Sequence, residues 1–320
     1  MSVVYRAYAP ASAANLSVGF DLVGVALKPI TGEILGDEIL ISEAPEGTGC
    51  RLKVTGRYAR RLPPEPEKNI VYDAFLRYRE IAAERGLPAC DVDMELKKNL
   101  PVCSGLGSSA ASVVAAVIAL DAVNGGGLGG AGRMSLMAEL EGKISGSIHY
   151  DNIAPCCYGG LQLIVNECNI ISKALPSFEN WYWVSCFPGV QVSTHDAREI
   201  LPKSYPRSDV VAYGRRLAAF VDACHRSDAA TAAACLKDVI AEPYRAGLIP
   251  GFGAARKFGS QNGALATGIS GSGSALFSLY DDLEKAQAMK AWLEDNFIAN
   301  EDGFCYVCRP DRRGAYVERL

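Results

Sequence analysis

The chain has 320 residues, 49% of them hydrophobic and 21% charged, and its 32 basic and 36 acidic residues give a net charge of −4. This composition is typical of globular proteins and excludes a disordered or fibrous chain. The balanced charge argues against nucleic acid as a partner. No window reaches the roughly 20 apolar residues of a membrane span. We therefore expect a cytoplasmic protein that binds neither nucleic acid nor a membrane. Glycine is the unusual component, because its 32 residues exceed the usual share of about 7%.

Strand and helix patterns alternate in the first hundred residues. Residues 3–9 and 38–44 are rich in β-branched or alternating apolar residues and predict strands, with a small-residue loop, residues 10–21, between them. Apolar residues recur at helical spacing over 69–86, which predicts an amphipathic helix. Residues 92–97 alternate between apolar and charged side chains and predict a further strand.

The middle of the chain is rich in small residues. A helix of alanine and valine residues is predicted to run from the loop at 101–111 to about Asn124. The glycine run 125–130 ends this helix, and a second helix is predicted from Arg133 to about Ser145.

The second half of the chain mixes apolar strands with helical patterns. The predicted strands cover 161–165, 181–187, 264–269, 275–280 and 304–309, and the predicted helices cover 194–200, 210–225, 229–240 and 282–297. The composition changes near Gly159, and we therefore expect an N-terminal domain over 1–165 and a C-terminal domain over 166–320.

The segment Pro101–Ala111 has the layout of an anion-binding loop. Glycines let the backbone approach an anion closely, and the free N–H groups and dipole of a helix N-terminus stabilise negative charge. The P-loop pattern is absent because no lysine follows the glycines. The dinucleotide-binding letters G-x-G-x-x-A do occur from Gly105 to Ala110, but no acid stands about 20 residues further on. The same small residues also suit a tight packing turn, so both interpretations remain open at this point.

Two other small-residue loops occur in the chain. Residues 268–274 form a Gly/Ser loop between two predicted strands, and the loop at 10–21 ends in an acid, Asp21. Three such loops in one chain suggest a shared role.

In their order, the three loops resemble the motifs of the galactokinase, homoserine kinase and mevalonate kinase superfamily, the GHMP kinases. The resemblance is carried by Pro10, Asn15, Gly19, Phe20, Asp21 and Gly24, then by 101–111, then by 268–273. Segments 145–155, 192–198 and 238–245 are similar to those of the homoserine kinases within this superfamily. The resemblance extends from Tyr8 to about Arg309.

The resemblance implies a fold, a reaction and partners. The fold would be α+β with two domains: an N-terminal α+β domain with a left-handed crossover, and a ferredoxin-like C-terminal domain. The reaction would be ATP-dependent phosphorylation of the side-chain hydroxyl of L-homoserine on the route to threonine. ATP would lie between the domains, with Mg²⁺ as its metal, and the chain would form a homodimer.

The resemblance also implies a nucleotide site. The residues carried over for ATP are Pro101, Val102, Cys103, Ser104, Gly105, Leu106, Gly107, Ser108, Ser109, Ala110, Ala111, Gly271 and Ser272. Cys103 departs from the small residue that such kinases have at this position. Because a thiol near a helix N-terminus can be acidified, we expect alkylation of Cys103 to block ATP binding.

Magnesium requires a carboxylate and hydroxyl oxygens, and the resemblance assigns it to Ser109, with Ser108 as the weaker choice, and to Glu141. Helix geometry separates Glu141 from Glu139, because two positions differ by about 200° around the axis and only one of them can face the site.

The resemblance assigns the substrate to a set of charged and polar side chains. These are Asn15, Asp21, His149, Arg198 and Arg245, with the arginines on the carboxylate and Asp21 on the ammonium group. Asp151 and Asn152 lie where related kinases have an aspartate base, and we expect them to orient the hydroxyl.

Three alternatives remain. One is a GHMP kinase for another small molecule. The others are an NAD(P) oxidoreductase that uses Gly105–Ala110, and a non-catalytic metabolite sensor with the kinase fold.

Overall fold

The fold is taken from a computed structural model that describes residues 3–146 and 148–320. Within those residues, no helix is both long enough and apolar enough to cross a membrane. Ser147, which belongs to the segment 145–155 considered above, lies outside the described residues.

The described residues form twelve strands, which make up one extended sheet. The strands are β1 (Val4–Asn15), β2 (Gly19–Pro29), β3 (Gly36–Glu43), β4 (Cys50–Thr55), β5 (Val92–Lys97), β6 (Leu161–Glu167), β7 (Ile170–Leu175), β8 (Tyr182–Phe187), β9 (Ala266–Ile269), β10 (Leu276–Tyr280), β11 (Phe304–Pro310) and β12 (Tyr316–Arg319). The order along the sheet is β4-β5-β3-β1-β2-β11-β8-β10-β9, while β12 pairs with β1 and β6 pairs with β2 and β7. All pairs are antiparallel except β4 with β5.

Ten α-helices cover the sheet in the described part of the chain. They are α1 (Ile70–Arg85), α2 (Ser108–Val123), α3 (Gly129–Ser145), α4 (Ile153–Tyr158), α5 (Thr194–Glu199), α6 (Arg207–Arg226), α7 (Ala229–Cys235), α8 (Glu242–Arg245), α9 (Phe252–Gln261) and α10 (Leu283–Asn296). Helices and mostly antiparallel strands thus share the fold, as the expected α+β class requires.

The long strand β1 joins the two halves of the sheet. Its first part, Val4–Pro10, pairs with β3, and its last part, from Ala11 to Asn15, pairs with β2. Strand β2 in turn pairs with β11, so the sheet continues into the C-terminal half of the chain. Strand β1 therefore belongs to both halves of the sheet, and it ends at Asn15, close to the C-terminal half of the chain.

Helix α2 is the centre of the N-terminal core. Its side chains are mostly alanine and valine, and all residues from Ala110 to Asp121 are buried. A helix that is apolar on all sides belongs in a core, and α2 lies between the β1–β3 sheet and the helices α1 and α3. A second core, in the C-terminal half, packs α10 against β8, β10 and β11 and packs α9 against β9 and α10.

The helix predicted over 69–86 is confirmed together with its ends. Asn69 caps α1 by accepting a hydrogen bond from the Val71 backbone N–H, and Gly86 ends it in the left-handed conformation with φ of 64°. An asparagine N-cap and a glycine C-cap are the signals that sequence analysis uses.

The loop predicted over 10–21 is wrong. Residues 10–15 continue β1, and the chain reverses only at Asn15, Leu16 and Ser17, which all have positive φ. The small side chains of this stretch fit the composition of a loop, but they also fit a strand that is buried beneath α2 and α4, as β1 is here.

Several other boundaries differ from the prediction. Helix α3 begins at Gly129 rather than Arg133, and the helix predicted over 229–240 ends at Cys235. The sequence analysis does not predict four strands (β2, β4, β7 and β12) or the helices α4, α8 and α9. The division at residue 165 stays a prediction, although β12, the last strand of the chain, pairs with β1, the first.

A buried ion pair supports the segment that leads into α2. Lys98 Nζ donates to the Asp37 carboxylate, to the Ser108 carbonyl at 2.8 Å and to Ser112 Oγ at 2.8 Å. Asp37 also accepts the backbone N–H groups of Asn99 and Leu100. Both charged side chains are buried, so strand β3, the end of β5 and the first turn of α2 are joined by one network.

We predict that Lys98→Met lowers the free energy of unfolding by about 3–5 kcal/mol, because it leaves the Asp37 carboxylate buried without its counter-charge. Urea unfolding followed by circular dichroism measures this change. The matched control is Lys53→Met, which removes an exposed lysine 3.7 Å from Glu95 and should change stability far less. Equal losses in the two variants would contradict the role given to the buried pair.

Candidate active site

A cleft of about 300 Å³ lies where the three predicted loops meet. Its lining includes most of the residues expected from the sequence: Asn15, Asp21, Val102, Cys103, Ser104, Gly105, Gly107, Ser108, Ser109, Glu141, His149, Asp151, Asn152, Arg198, Arg245, Gly271 and Ser272. Four expected residues do not line it, because Pro101, Leu106, Ala110 and Ala111 are buried in the core behind the loop. The sequence therefore predicted the position of the cleft but not which loop side chains face it.

Two glycine-rich loops cross at the floor of the cleft. Ser270 Oγ donates to the Gly105 carbonyl at 2.7 Å, and the Ala275 N–H donates to the Ser104 carbonyl at 2.8 Å. Gly105 has φ of 80°, and a Cβ placed on it would overlap the Ser270 carbonyl. Glycine is required at this position both by the backbone angle and by the close approach.

The turn between β1 and β2 joins the same crossing. The Gly271 N–H donates to the Ala14 carbonyl at 3.1 Å, and Asn15 Nδ2 donates to the Gly271 carbonyl at 3.0 Å. The three small-residue segments thus form one structure, and the packing-turn and anion-site interpretations of 101–111 are both compatible with it.

The N-terminus of α2 opens into this cleft. Gly107 is the N-cap residue, with φ of 63°, and no side chain caps the first N–H groups of this 16-residue helix. Uncapped N–H groups and the helix dipole together stabilise an anion. The NAD(P) interpretation of Gly105–Ala110 is not supported, because α2 is followed by α3 rather than by the parallel strand of a βαβ unit.

Ser109 and Glu141 meet at one wall of the cleft. Ser109 Oγ donates to Glu141 Oε1 at 2.7 Å, and burial raises the pKa of Glu141 while Ser109 and Lys98 oppose the rise. Ser108 instead donates to the Leu100 carbonyl at 3.2 Å, inside the protein. Ser109 is therefore the serine that faces the carboxylate.

Glu139 lies on the other side of α3. It accepts a hydrogen bond from Arg77 Nε of α1 at 2.8 Å, whereas Glu141 faces the cleft. Glu139 and Glu141 thus face different sides of α3, as helix geometry predicts. A hydroxyl and a carboxylate are oxygen donors that suit Mg²⁺, which commonly takes one or two protein ligands and completes its shell with phosphate and water.

The other end of the cleft carries opposed charges. Arg198 of α5 makes two contacts with the Asp21 carboxylate, at 3.0 and 3.3 Å, and His149 Nδ1 lies 3.6 Å from Asp21 Oδ2. Asn15 Oδ1 accepts the Asp21 backbone N–H at 2.9 Å, so the turn holds this acid in place. Burial lowers the pKa of His149, with Asp21 opposing and Arg198 adding to the decrease.

Arg245 is the second arginine at this end, and it is buried. Its Nε donates to the Ala197 carbonyl at 2.7 Å, its Nη1 donates to the Gly271 carbonyl at 3.0 Å, and its guanidinium lies 5.3 Å from the centre of the Phe20 ring. Among the described residues, no carboxylate lies within ion-pair distance of it. Burial and the neighbouring Arg198 lower the pKa of Arg245, so an added anion would be stabilised here.

Asp151 lies between the two ends of the cleft. It is buried, and its backbone carbonyl packs against Gly24 of β2 so closely that a Cβ on Gly24 would overlap it. Burial, with the charge of Asp21, raises the pKa of Asp151 to about 7, while Arg198 opposes the rise. Carboxyl groups whose pKa is raised by burial and by a neighbouring charge cluster at functional sites.

The acidified thiol considered for Cys103 is not present, while the effect of its alkylation on ATP binding stays a prediction. Partial burial raises the pKa of its thiol, against a smaller opposing effect of the Thr194 backbone N–H. Cys103 lies five residues before Ser108, the first residue of α2, and the largest effect on its thiol is desolvation.

Sequence reasoning missed part of the lining. The additional residues include Leu62, Lys68, Asn69, Ile70, Leu96, Lys98, Ser112, Ile144, Thr194. The apolar members Leu62, Ile70 and Leu96, from the linker, α1 and β5, give the cleft an apolar wall. The sequence predicts Asn69 as the start of a helix, but nothing in its immediate sequence indicates that it faces a cleft.

Two family models match this chain. Residues 69–160 match the model described as GHMP kinases N terminal domain, and residues 220–299 match the one described as GHMP kinases C terminal. Together they cover more than half of the chain. The expected two-domain α+β fold is confirmed by these matches.

Solved structures agree with the family models. Homoserine kinase from Cytophaga hutchinsonii ATCC 33406 is 35% identical, with a TM-score of 0.88, over 98% of this chain and 97% of that protein. Mevalonate diphosphate decarboxylase from Staphylococcus aureus is 13% identical, with a TM-score of 0.69, over 99% and 98% of the two chains. Mevalonate kinase of L. major in complex with R-mevalonate is 14% identical, with a TM-score of 0.66, over 96% and 95%. The last two share the fold alone.

We predict that Gly107→Ala weakens ATP binding at least 10-fold. A Cβ at this position would overlap Ser12 Oγ and lie 2.9 Å from Asn152 Oδ1, and the residue has φ of 63°, so the first turn of α2 must shift. Isothermal titration calorimetry with a non-hydrolysable ATP analogue measures the effect.

The matched control is Gly126→Ala, where φ is 81° but nothing lies within 4 Å of the added Cβ. This variant carries similar backbone strain and should lose some stability but no nucleotide affinity. Equal affinity in Gly107→Ala and the unmodified protein would show that the loop does not bind the nucleotide.

Proposed function

The chain belongs to the GHMP kinases, a family of small-molecule kinases, and on that premise we propose that it transfers the γ-phosphoryl group of ATP to the side-chain hydroxyl of L-homoserine. The product is O-phospho-L-homoserine, an intermediate on the route to threonine. The observation that carries the proposal is the charge arrangement in the cleft: buried Arg245 and the Arg198–Asp21 pair suit a small zwitterion. The 35% identical homoserine kinase supports the same substrate.

Recognition of the substrate is proposed to begin with an exchange of ion partners. In the free site Arg198 is paired with Asp21. A bound zwitterion presents a carboxylate to Arg198 and Arg245 and an ammonium group to Asp21, so each charged group keeps or gains a counter-charge. A planar guanidinium is suited to bind a carboxylate. His149, whose lowered pKa favours the neutral form, offers a hydrogen bond rather than a third positive charge.

The nucleotide end of the cleft is proposed to bind the phosphates of ATP. The backbone N–H groups of residues 104–109 and the uncapped start of α2 stabilise the phosphate charge. Ser109 and Glu141 would hold the Mg²⁺ of MgATP, and the ion supplies neutralisation of phosphate charge when it is bound. The apolar wall near Leu96 and Val102 suits the nucleoside.

Phosphoryl transfer depends on positioning and charge neutralisation more than on covalent chemistry. Asp151 and Asn152 are proposed to orient the substrate hydroxyl towards the γ-phosphate, and the hydroxyl proton leaves late, to the transferred phosphate. We further propose that the enzyme works in the cytoplasm as a homodimer. The retention of Ser109, Glu141 and both arginines argues against a non-catalytic sensor.

The central prediction is ADP release with L-homoserine. A coupled assay with MgATP should give turnover with homoserine and at most trace turnover with mevalonate, galactose or shikimate. Two truncated substrates sharpen the assay: 4-hydroxybutyrate lacks the ammonium group, and 3-aminopropan-1-ol lacks the carboxylate. Absence of ADP with homoserine would overturn the proposal.

The matched variant is Arg245→Met, which should raise the KM for homoserine at least 30-fold, since a buried charged contact is lost. The same variant should hardly change kcat/KM for 3-aminopropan-1-ol, which has no carboxylate to bind. Arg226→Met is the control, because Arg226 is exposed on α6 and paired with Asp222. An equal penalty on both substrates would remove Arg245 from carboxylate recognition.

The role of Asp151 gives a separate prediction. Asparagine keeps the size and the neutral hydrogen bonding of a protonated aspartic acid, so Asp151→Asn should keep kcat within about 10-fold if the residue only orients the hydroxyl. General base catalysis contributes typically about 10²-fold or more. Stopped-flow or steady-state measurement of kcat at pH 7.5 distinguishes orientation of the hydroxyl from general base catalysis. A loss of about 10²-fold or more would identify Asp151 as a general base. Asp151→Ala, which removes both hydrogen bonding and size, provides the comparison.

A further inference from the structure

Ser12, in the buried part of β1, lies directly behind the start of α2. Its backbone N–H donates to the Leu106 carbonyl at 3.1 Å, and its side chain is fully buried. A Cβ on Gly107 would overlap Ser12 Oγ, so the hydroxyl is in close contact with the loop proposed to bind phosphate. Ser12 does not line the cleft, and it is not among the motif residues that carry the family resemblance.

The hydroxyl of Ser12 donates to Asn152 Oδ1 at 2.8 Å. On its other side lies Cys156, whose Sγ is 3.5 Å from Ser12 Oγ and 3.1 Å from the Pro10 carbonyl. Burial raises the pKa of the Cys156 thiol to about 12, so the sulfur keeps its proton and acts as a donor. Asn152 Oδ1 is then the acceptor left for the proton of the Ser12 hydroxyl.

This hydrogen bond determines how the Asn152 amide is turned. With Oδ1 held by Ser12, the N–H donors of Nδ2 are left for the cleft, whose lining includes Asn152. The opposite orientation would direct Oδ1 towards the cleft and leave the Ser12 hydroxyl between two donors, the Asn152 Nδ2 group and the Cys156 thiol. A donor aimed at the transferring group stabilises its charge, whereas an acceptor repels it.

We propose that Ser12 is a positioning residue that holds the Asn152 amide with its N–H donors towards the phosphoryl group being transferred. The inference deepens the proposed function and rests on it, because the charge in question is that of the transferred group. Ser12 acts through Asn152 and touches neither substrate nor nucleotide.

The kinetic test is a double-mutant cycle of Ser12→Ala and Asn152→Ala. Ser12→Ala should lower kcat about 10-fold with less than about 3-fold change in the KM of either substrate, the size expected when one positioned hydrogen bond is lost. In the Asn152→Ala background the same change should have no further effect on kcat, and Ser12→Thr, which keeps the hydroxyl, should restore most of the activity. Equal losses in the two backgrounds would overturn the proposal.

Ser278→Ala is the matched control, because Ser278 is a buried strand serine that hydrogen-bonds Thr267 in β9, outside the cleft. It should lower the melting temperature about as much as Ser12→Ala and leave kcat unchanged. An equal fall of kcat in the two variants would assign the Ser12 effect to general stability.

A spectroscopic measurement separates this proposal from the choice of substrate. The side-chain amide signals of Asn152, identified by their loss in Asn152→Ala, should shift when Mg²⁺ and a non-hydrolysable ATP analogue are added, and should not shift in the same way in Ser12→Ala. If homoserine gives no ADP but this difference is observed, the substrate assignment fails and the role of Ser12 stands. Identical amide responses in the two proteins would overturn the role of Ser12.

Discussion

The cleft depends on a steric constraint: at three glycines the backbone lies closer to a neighbouring segment than any side chain would allow. Gly105 lies against Ser270, Gly107 against Ser12, and Gly24 against the Asp151 carbonyl. Hydrogen bonds between the segments hold this arrangement. Because the segments come from distant parts of the chain, the close approach also brings together charged side chains that are far apart in the sequence.

Electrostatics then gives the cleft two different ends. The end near α2 has uncapped N–H groups, while the end near α5 and α8 has two arginines and one aspartate. Asp151 lies between them, and its pKa is raised to about 7 by burial and by Asp21. A cleft with this distribution suits a polyanion at one end and a small zwitterion at the other, which is the combination that a kinase acting on an amino acid requires.

Local patterns in the sequence predicted those elements whose signals are local. Helix α1 has an asparagine cap, a glycine end and apolar residues at helical spacing, so its bounds followed directly. The stretch 10–15 has only small residues, and its composition fits a loop as well as a strand beneath a helix. The outcome was decided by the packing of α2 and α4 over that part of β1, and no local pattern in residues 10–15 reveals this packing.

The sequence by itself determined the family, the order of the motifs and most residues of the cleft, because those motifs are contiguous. The tertiary structure decided which hydrogen bonds these side chains make: Ser109 contacts Glu141, whereas Ser108 contacts the Leu100 carbonyl. It also decided that the pKa of Cys103 is raised rather than lowered. It also placed Lys98 and Asn69 in the lining of the cleft, and Ser12 behind the cleft in contact with Asn152. The physical reason is that side-chain direction, burial and hydrogen-bond partners arise from contacts between segments distant in sequence, and such contacts leave no periodic or compositional pattern in either segment alone.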